Sequence, residues 1–355
     1  MRISPLQIYQ AKKRITPWVT RTPLVRAHDL SELYGAEIWS KLEILQPTGA
    51  FKLRGATNTI LQLNEDERKR GVVASSTGNH GRAVAYAARE QNIRAVICLS
   101  KLVPENKVKA IESLGADVRI IGQSQDEAEV EAVRLAKEEG MIPIPPFDHL
   151  HVIAGQGTIG LELLEDFPEL DCAVVGLSGG GLIGGIAVAL KAVSPKIRVI
   201  GVTMENGAAM KLSLEAGKPV PVIEEPSLAD SLGGGIGLDN QYTFQLVRDL
   251  VDETLLVSED EIAQAMRYIF ETQRLVVEGG AAVGVAALLA KKIEVKGKNV
   301  ALVYSGNNVS SETVRKVWKT KSENCERQSI DYCCGKEGKA GEIDYIKFKS
   351  GANSD

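Results

Sequence analysis

The chain has 355 residues, 44% hydrophobic and 25% charged, which is enough for one large or two medium domains with cores of their own. A formal net charge of −4 leaves no basic surplus to neutralise a phosphate backbone, so nucleic-acid binding is not expected. No apolar run reaches membrane-spanning length and the first five residues lack the apolar core of a signal peptide, so we expect a cytoplasmic protein with no membrane partner.

The N-terminal segment carries the signals of a helix start. Ser4 is a hydroxyl cap, Pro5 suits the first helical position and Gln7 can close a capping box. Further along, we predict strands at 37–44, 72–74, 95–99, 118–121, 173–177 and 198–202. We predict helices at 79–89, 104–114, 125–139 and 157–166, and a further helix that follows the strand at 173–177 and ends at 193. Short strands that alternate with longer helices predict an α/β fold with mostly parallel sheets, covered by helices on both faces.

A proline-rich stretch at 143–146 interrupts this alternation, and we interpret it as a hinge between two doubly wound domains. The larger domain is predicted to comprise residues 1–65 and 150–320, and the smaller one residues 66–149. Residues 321–355 are rich in Gly, Ser, Lys and Glu and lack periodicity, so we predict a disordered tail.

The five cysteines agree with a reducing compartment. Cys98 and Cys172 lie in apolar, strand-like segments and are predicted to be small buried hydrophobic residues. The others lie in the polar tail and are Cys325, Cys333 and Cys334. They match no zinc spacing, although a weak metal or redox role for the tail stays open.

His149 and His151 form a His-x-His pair after Asp148. On a strand the two side chains would lie on one face and could bind a metal ion. The sequence offers no third ligand, which favours a loop with incidental histidines. We predict no metal site.

Residues 48–55 read Thr-Gly-Ala-Phe-Lys-Leu-Arg-Gly. Lys52 lies between two large apolar residues, and a glycine lies three positions before it and another three positions after it. Apolar neighbours remove water from an ammonium group, which lowers its pKa and makes the free amine available as a nucleophile. Glycines allow a ligand to approach the backbone closely. The alternative is a lysine that begins a helix and extends its charge to water.

Residues 178–185 read Ser-Gly-Gly-Gly-Leu-Ile-Gly-Gly, follow a predicted strand and begin a predicted helix. Consecutive backbone N–H groups at a helix N-terminus can surround a phosphate. The segment also satisfies the glycine spacing of a dinucleotide site, with Glu205 after the next strand as a ribose ligand. An NAD(P)-dependent oxidoreductase is therefore an alternative, but it gives Lys52 no role.

Two further polar turns lie at the carboxyl ends of predicted strands, where open α/β sheets bind ligands. Residues 75–82 read Ser-Ser-Thr-Gly-Asn-His-Gly-Arg, and their hydroxyl, amide and N–H groups suit a carboxylate while also capping the following helix. Residues 302–308 read Leu-Val-Tyr-Ser-Gly-Asn-Asn, an apolar strand that ends in a hydroxyl and a glycine.

In this order the four segments resemble those of the serine/threonine dehydratases of the tryptophan-synthase-β-like family, fold type II of the pyridoxal-phosphate enzymes. Segments at 153–158 and 278–281 are also similar, and the resemblance covers about residues 5–318. It implies a lyase that uses pyridoxal 5'-phosphate to eliminate water from a 3-hydroxy amino acid such as L-threonine or L-serine, giving a 2-oxo acid and ammonia. It also implies a homodimer or homotetramer, with the larger domain binding the cofactor.

The resemblance implies roles for individual residues around the cofactor. Lys52 would form the Schiff base and, as a free amine, take the Cα proton, while Phe51 would line the cofactor's face. Asn79 would hydrogen-bond the ring hydroxyl and Ser305 would meet the pyridine nitrogen. The phosphate would be held by Ser178, Gly179, Gly180, Gly181 and Leu182.

The resemblance further implies a set of residues that bind the substrate, namely Ser76, Thr77, His80 and Gln156. Thr77 stands where the family often has serine and would also be a catalytic residue. Racemisation of the substrate stays open as an alternative activity, because the same Cα can be reprotonated on its other face.

This chain departs from the family pattern at several positions. Where some relatives bind a divalent cation through acids, it has Thr203, Gly207 and Ala209, so no cation is expected there. Arg82 could share the face of Asn79 and bind a second anionic group of the substrate; the alternative is a solvated surface arginine.

Three segments are similar to the ectoine/hydroxyectoine-utilisation branch of the dehydratases, at 77–82, 178–181 and 229–237. This likeness implies a hydroxyectoine-derived compound as an alternative substrate, and 3-hydroxyaspartate also stays open.

Overall fold

The computed structural model describes residues 3–324 apart from 77, 102, 104 and 124. The strands of this part of the chain form one sheet of six strands and one of four. Its helices include none that is both long and apolar enough to cross a membrane.

The larger sheet is almost entirely parallel. Its strands are β1 (Leu24–Arg26), β2 (Glu37–Lys41), β7 (Cys172–Gly176), β8 (Arg198–Met204), β9 (Glu253–Val257) and β10 (Asn299–Val303). They are hydrogen-bonded in the order β1-β2-β10-β7-β8-β9, and β1 alone runs antiparallel to its neighbour. Val300 of β10 lies opposite Ile38 of β2 and Cys172 of β7, so the carboxyl ends of these strands meet at one edge.

The smaller sheet is parallel throughout. Its strands are β3 (Val72–Ser75), β4 (Ala95–Leu99), β5 (Asp117–Ile120) and β6 (Ile142–Pro143). Their order is β5-β4-β3-β6.

Helices connect the strands of both sheets. The α-helices are α1 (Pro5–Ile15), α2 (His28–Tyr34), α3 (Lys52–Ile60), α4 (Glu65–Arg70), α5 (Asn79–Glu90), α6 (Glu105–Glu112), α7 (Gln125–Glu138), α8 (Leu150–Asp166), α9 (Gly181–Val193), α10 (Ala209–Ala216), α11 (Thr243–Leu250), α12 (Glu259–Tyr268), α13 (Gly279–Leu289) and α14 (Ser311–Asn324). Short 3-10 turns cover Glu43–Leu45 and Asp230–Leu232, and a π-helical turn at Ile269–Gln273 extends α12.

Both faces of each sheet are covered, because neighbouring residues of a strand point to opposite sides. Val174 of β7 packs in a core with α12 and α13, whereas Val175 packs in a second core with α8 and α9. In the smaller sheet Ala74 faces α3 and α5, and Val73 faces α7. The predicted fold class, two doubly wound α/β units with mostly parallel sheets, is confirmed.

Helix α3 contributes to both parts of the molecule. Leu53, Ala56 and Ile60 pack in the core of the smaller sheet, while Arg54 forms ion pairs with residues near β2 and on α8. The predicted domain boundaries at 65 and 149 stay predictions, as does the hinge at 143–146, whose first residue belongs to β6.

The prediction for α8 is wrong at its start, because the helix begins at Leu150 rather than near 157. His149 is its N-cap, in the bend that precedes the helix, and His151 lies in its first turn, so neither histidine lies in a strand and only His149 lies in a loop as predicted. The glycine at 155 in this helix serves packing. A Cβ at Gly155 would lie 2.6 Å from the Arg54 carbonyl oxygen on α3.

Other local predictions can be compared directly. The capping box of α1 is confirmed, with Ser4 accepting from the Gln7 N–H, and Cys98 and Cys172 are buried as predicted. Of the predicted disordered tail, residues 321–324 belong to α14, and the remainder, with its three cysteines, lies outside the described residues.

Candidate active site

A cavity of about 510 Å³ collects nearly all of the predicted site residues. Those that line it are Phe51, Lys52, Ser76, Asn79, His80, Gln156, Ser178, Gly179, Gly180, Gly181, Leu182 and Ser305. Most of them follow the carboxyl ends of β3, β7 and β10 or begin the next helix, which is where parallel sheets bind ligands. Thr77, the remaining predicted residue, lies outside the described residues.

Lys52 is the first residue of α3 and is partly buried. The segment before it is held against the end of β10, because the Phe51 N–H donates to the Ser305 carbonyl at 2.9 Å. Lys52 Nζ donates to the Pro146 carbonyl at 2.7 Å and lies 5.4 Å from the centre of the Phe51 ring. Burial lowers the pKa of Lys52 to about 8, against the opposing effect of the negative charge on Glu278. The free amine is therefore far more accessible near neutral pH than that of an ordinary lysine.

The glycine loop lies between β7 and α9, with Gly180 as the N-cap residue of the helix at φ +86°. Its close packing excludes side chains, since a Cβ at Gly181 would lie 3.0 Å from the Phe147 backbone. Within the described chain, no backbone carbonyl accepts from the N–H groups of residues 178–182. Unpaired N–H groups at a helix N-terminus form an anion site of the size of a phosphate.

Asn79 is held by two residues that the sequence did not single out as site residues. Its Nδ2 donates to both carboxylate oxygens of Glu278, at 2.9 and 3.0 Å, and its Oδ1 accepts from Asn308 Nδ2 at 2.5 Å. Glu278 is buried at the N-cap of α13, and burial raises its pKa. The side chain predicted to meet the cofactor ring is thus fixed from both sides.

His80 is buried, and its Nε2 lies 2.7 Å from the Ile144 carbonyl oxygen. Because a carbonyl only accepts, Nε2 carries the proton and donates it. Burial, together with the nearby charge of Lys52, lowers the pKa of His80 to about 3. His80 is therefore a neutral imidazole whose Nδ1 can only accept a hydrogen bond. Its predicted role in binding the substrate stays a prediction, and Nδ1 could contact a donor of the substrate, such as its hydroxyl or amine, but not its carboxylate.

Gln156 is 1% exposed on α8, and neither its Oε1 nor its Nε2 has a hydrogen-bond partner among the described residues. A buried unpaired amide costs free energy. The cavity therefore holds a donor and an acceptor that a bound molecule could satisfy, and the role of Gln156 in substrate binding stays a prediction.

The family described as "Pyridoxal-phosphate dependent enzyme" matches residues 15–306. This span includes Lys52, the glycine loop and Ser305. The chain belongs to this family.

Relatives of this pyridoxal-phosphate enzyme match over most of its length. A Sinorhizobium fredii protein provisionally named a threonine dehydratase is 55% identical over 310 residues, which is 87% of this chain and 93% of that protein. An L-threonine ammonia-lyase of Thermotoga maritima is 44% identical over 87% of this chain and 77% of its own length. The solved structure of maize serine racemase is 33% identical with a TM-score of 0.84 and covers 92% of this chain and all of that one.

The residues of the cavity fit pyridoxal phosphate. Lys52 offers an amine whose pKa is low enough for covalent bonding to a carbonyl group, and the loop at 178–182 offers unpaired N–H groups for the phosphate. Phe51 and Asn79 supply an apolar face and a polar edge for the ring.

Two other interpretations of this pyridoxal-phosphate enzyme can be set against the structure. Glu205, the ribose ligand of the dinucleotide alternative, is exposed after β8 and is absent from the described lining of the cavity, and the family match contradicts that alternative. The described residues contain no cluster of three metal-ligating side chains, and the absence of a metal site stays a prediction.

Proposed function

We propose that this pyridoxal-phosphate enzyme is a lyase that eliminates water from a 3-hydroxy amino acid, with L-threonine and L-serine as the first substrates to test. The overall change is loss of water across Cα and Cβ, followed by uptake of water and release of ammonia, which gives a 2-oxo acid. The relatives named for threonine dehydration and ammonia release support this reaction. The observation that carries it is the low-pKa amine of Lys52 in the same cavity as an anion-binding glycine loop.

Pyridoxal phosphate, when bound, supplies an electron sink for the substrate Cα. Lys52 Nζ would hold it covalently and, once released by the substrate amine, would take the proton from Cα. Burial favours this second role, because a base works best when its pKa lies near the working pH. The Pro146 carbonyl accepts a hydrogen bond from Nζ and so orients the amine. It carries no net charge and therefore forms no ion pair with Lys52.

The other residues would position the cofactor and the substrate and would not themselves transfer protons. The N–H groups of residues 178–182 would bind the phosphate, and Asn79, held by Glu278 and Asn308, would bind the ring hydroxyl. Ser305 would meet the pyridine nitrogen and could not protonate it as an aspartate could, which would favour loss of the β-hydroxyl over transamination. Ser76, Thr77, His80 and Gln156 would bind the substrate.

Lys52→Ala tests this proposal. The wild-type protein loaded with pyridoxal phosphate should be yellow, its absorption should change on treatment with borohydride, and it should release ammonia and a 2-oxo acid from L-threonine or L-serine. Lys52→Ala should lose the covalently linked cofactor and at least about a hundredfold in turnover. Lys107→Gln is the matched control, because Lys107 lines the same cavity but is paired with Asp230 at 3.1 Å. A colourless wild-type protein, or covalent cofactor in Lys52→Ala, would contradict the proposal.

Racemisation is the second candidate, favoured by the likeness to maize serine racemase. It requires a proton donor on the cofactor face opposite Lys52, for which Thr77 and Ser76 are the candidates. The same assay decides between the two, because a racemase forms the D-amino acid from L-serine in addition to any ammonia.

We further infer that the protein is cytoplasmic and assembles as a homodimer or homotetramer. Exposed apolar side chains on α1, Leu6 at 62% and Tyr9 at 55%, offer contact surface. Light scattering during size-exclusion chromatography measures the assembly, and a monomeric mass would contradict it.

A further inference from the structure

Arg82 lies on α5, one turn beyond Asn79, and lines the active-site cavity. Its Nη1 donates to Asn308 Oδ1, and its Nε is buried with no hydrogen-bond partner among the described residues. Burial lowers its pKa, and no acid among the residues that the structure describes offsets this effect. Arg82 as a whole is half-buried, and a partly desolvated guanidinium without a counter-ion favours a ligand that supplies the missing charge.

The other cations of the cavity, Lys52 and Lys107, differ from Arg82 in having partners among the described residues. Lys107 pairs with Asp230 at 3.1 Å, and the Glu278 carboxylate accepts two hydrogen bonds from Asn79. Lys52 donates to the Pro146 carbonyl and lies in the field of Glu278. Among the cations of the cavity, Arg82 therefore stands apart. The described residues provide it with neither an ion pair nor a nearby negative charge.

The contacts of Arg82 differ from those of the two anion sites predicted above. The glycine loop belongs to α9, and the N–H groups that suit the α-carboxylate belong to the first turn of α5, from Gly78 to His80. Arg82, the fourth residue of α5, instead extends its side chain to Asn308, in the turn after β10. Asn308 holds Asn79 as well, so Arg82 is fixed next to the ring-binding amide.

We propose that Arg82 binds a second anionic group of the substrate, so that the cavity takes a 3-hydroxy amino acid whose side chain ends in a carboxylate. This inference rests on the proposed function. A guanidinium suits the task because its fork of N–H donors matches the two oxygens of a carboxylate. L-Threonine and L-serine would still fit, but would leave Arg82 unpaired.

The kinetic test compares 3-hydroxyaspartate with L-threonine in the wild-type enzyme and in Arg82→Gln. Glutamine keeps an amide donor for Asn308 and removes the charge. We expect kcat/KM for 3-hydroxyaspartate to fall about tenfold to a hundredfold, mainly through KM, with L-threonine nearly unchanged. Arg82→Lys keeps the positive charge but lacks the fork of N–H donors. Its kcat/KM for 3-hydroxyaspartate should therefore lie between those of the wild-type enzyme and Arg82→Gln. Lys107→Gln, which removes a paired cation from the same cavity, should leave the ratio between the substrates unaltered.

A binding test separates this inference from the proposed function. Aspartate and alanine differ in the side-chain carboxylate and have no hydroxyl to eliminate. Aspartate should perturb the visible spectrum of the bound cofactor at a lower concentration than alanine, and Arg82→Gln should abolish that difference. This result would support the role of Arg82 even if no hydroxy amino acid released ammonia, an outcome that would reject the proposed function alone.

Three results would overturn the inference. The first is equal loss on both substrates in Arg82→Gln, which would assign Arg82 to a group that all substrates share or to the placement of Asn79. The second is a wild-type enzyme that binds aspartate no better than alanine, a result that needs no variant to fold. The third is a ratio of kcat/KM for 3-hydroxyaspartate to kcat/KM for L-threonine that stays at the wild-type value in both Arg82 variants.

Discussion

At the scale of single residues, the chemistry of this enzyme depends on how burial and charge act on Lys52. Burial lowers the pKa of its amine, and Glu278 counteracts part of that effect from a position 226 residues further along the chain. Glu278 is itself kept in place by Asn79. The reactivity of the lysine is therefore adjusted by the same residues that are proposed to hold the cofactor ring.

The pH dependence of cofactor capture follows from this pKa. The neutral amine is the nucleophile, so the rate at which cofactor-free protein bonds added pyridoxal phosphate should rise with pH. The folded pKa is lowered to about 8 from 10.5, so the midpoint should lie near 8. Stopped-flow absorbance over the pH range that brackets these values measures it.

Glu278→Gln provides the control for this prediction. Removing the carboxylate removes the effect that raises the Lys52 pKa, so the midpoint should move to lower pH. A midpoint near that of an exposed lysine, or a shift to higher pH in Glu278→Gln, would contradict the account.

At the scale of secondary-structure elements, the position of Lys52 depends on how closely α3 approaches α8. Gly155 allows this approach, because a side chain there would meet the backbone of Arg54 and Gly55. The residues that it touches follow Lys52 by two and three positions. A glycine in the middle of a helix, which lowers helix propensity, is retained here for packing.

Gly155→Ala should therefore destabilise the protein in spite of the higher helix propensity of alanine. The added methyl group would lie 2.6 Å from the Arg54 carbonyl oxygen, and overpacking of this kind costs about 1–3 kcal/mol. Urea unfolding measures the change. Gly284→Ala on α13 is the control, because its methyl group would meet the Val174 side chain at 3.3 Å and the cost should be small. Equal stabilities of the two variants would refute the packing argument.

At the scale of the whole molecule, a buried ion cluster connects α3 to the larger sheet. Arg54 bonds Glu43 at 2.8 Å and Glu162 of α8 at 2.6 Å, and Lys41 at the end of β2 bonds Glu162 at 2.6 Å. All four side chains are nearly fully buried and their formal charges cancel. The cluster fixes the helix that carries Lys52 relative to both β2 and α8.

Arg54→Met should be strongly destabilising, because it leaves two buried carboxylates with Lys41 as their remaining cation. Breaking a buried pair from one side costs about 3–5 kcal/mol. The free energy of unfolding in urea measures this loss. Arg94→Met is the matched control, since the Arg94–Asp117 pair is 52% and 61% exposed and should contribute at most about 1 kcal/mol. Similar losses in the two variants would show that burial of the cluster does not matter.

The sequence by itself determined the fold class, most strands and helices, and the segments that line the cavity. It could do so because hydrophobic periodicity and capping are local, and because glycines and hydroxyls at strand ends carry their chemistry in short motifs. The start of α8 was missed, since a glycine needed for packing and a glycine that ends a helix look alike in sequence.

Only the tertiary structure decided which groups meet. Asn79 meets Glu278 and Asn308, His80 is neutral, and Arg82 has no counter-ion in the described part of the chain. All three depend on contacts or burial among elements far apart in the chain. Electrostatic interactions in a cavity depend on distance and desolvation, and neither is written in the order of residues. For the same reason the sequence left Arg82 open between a surface residue and a substrate ligand, whereas the fold places it in the cavity.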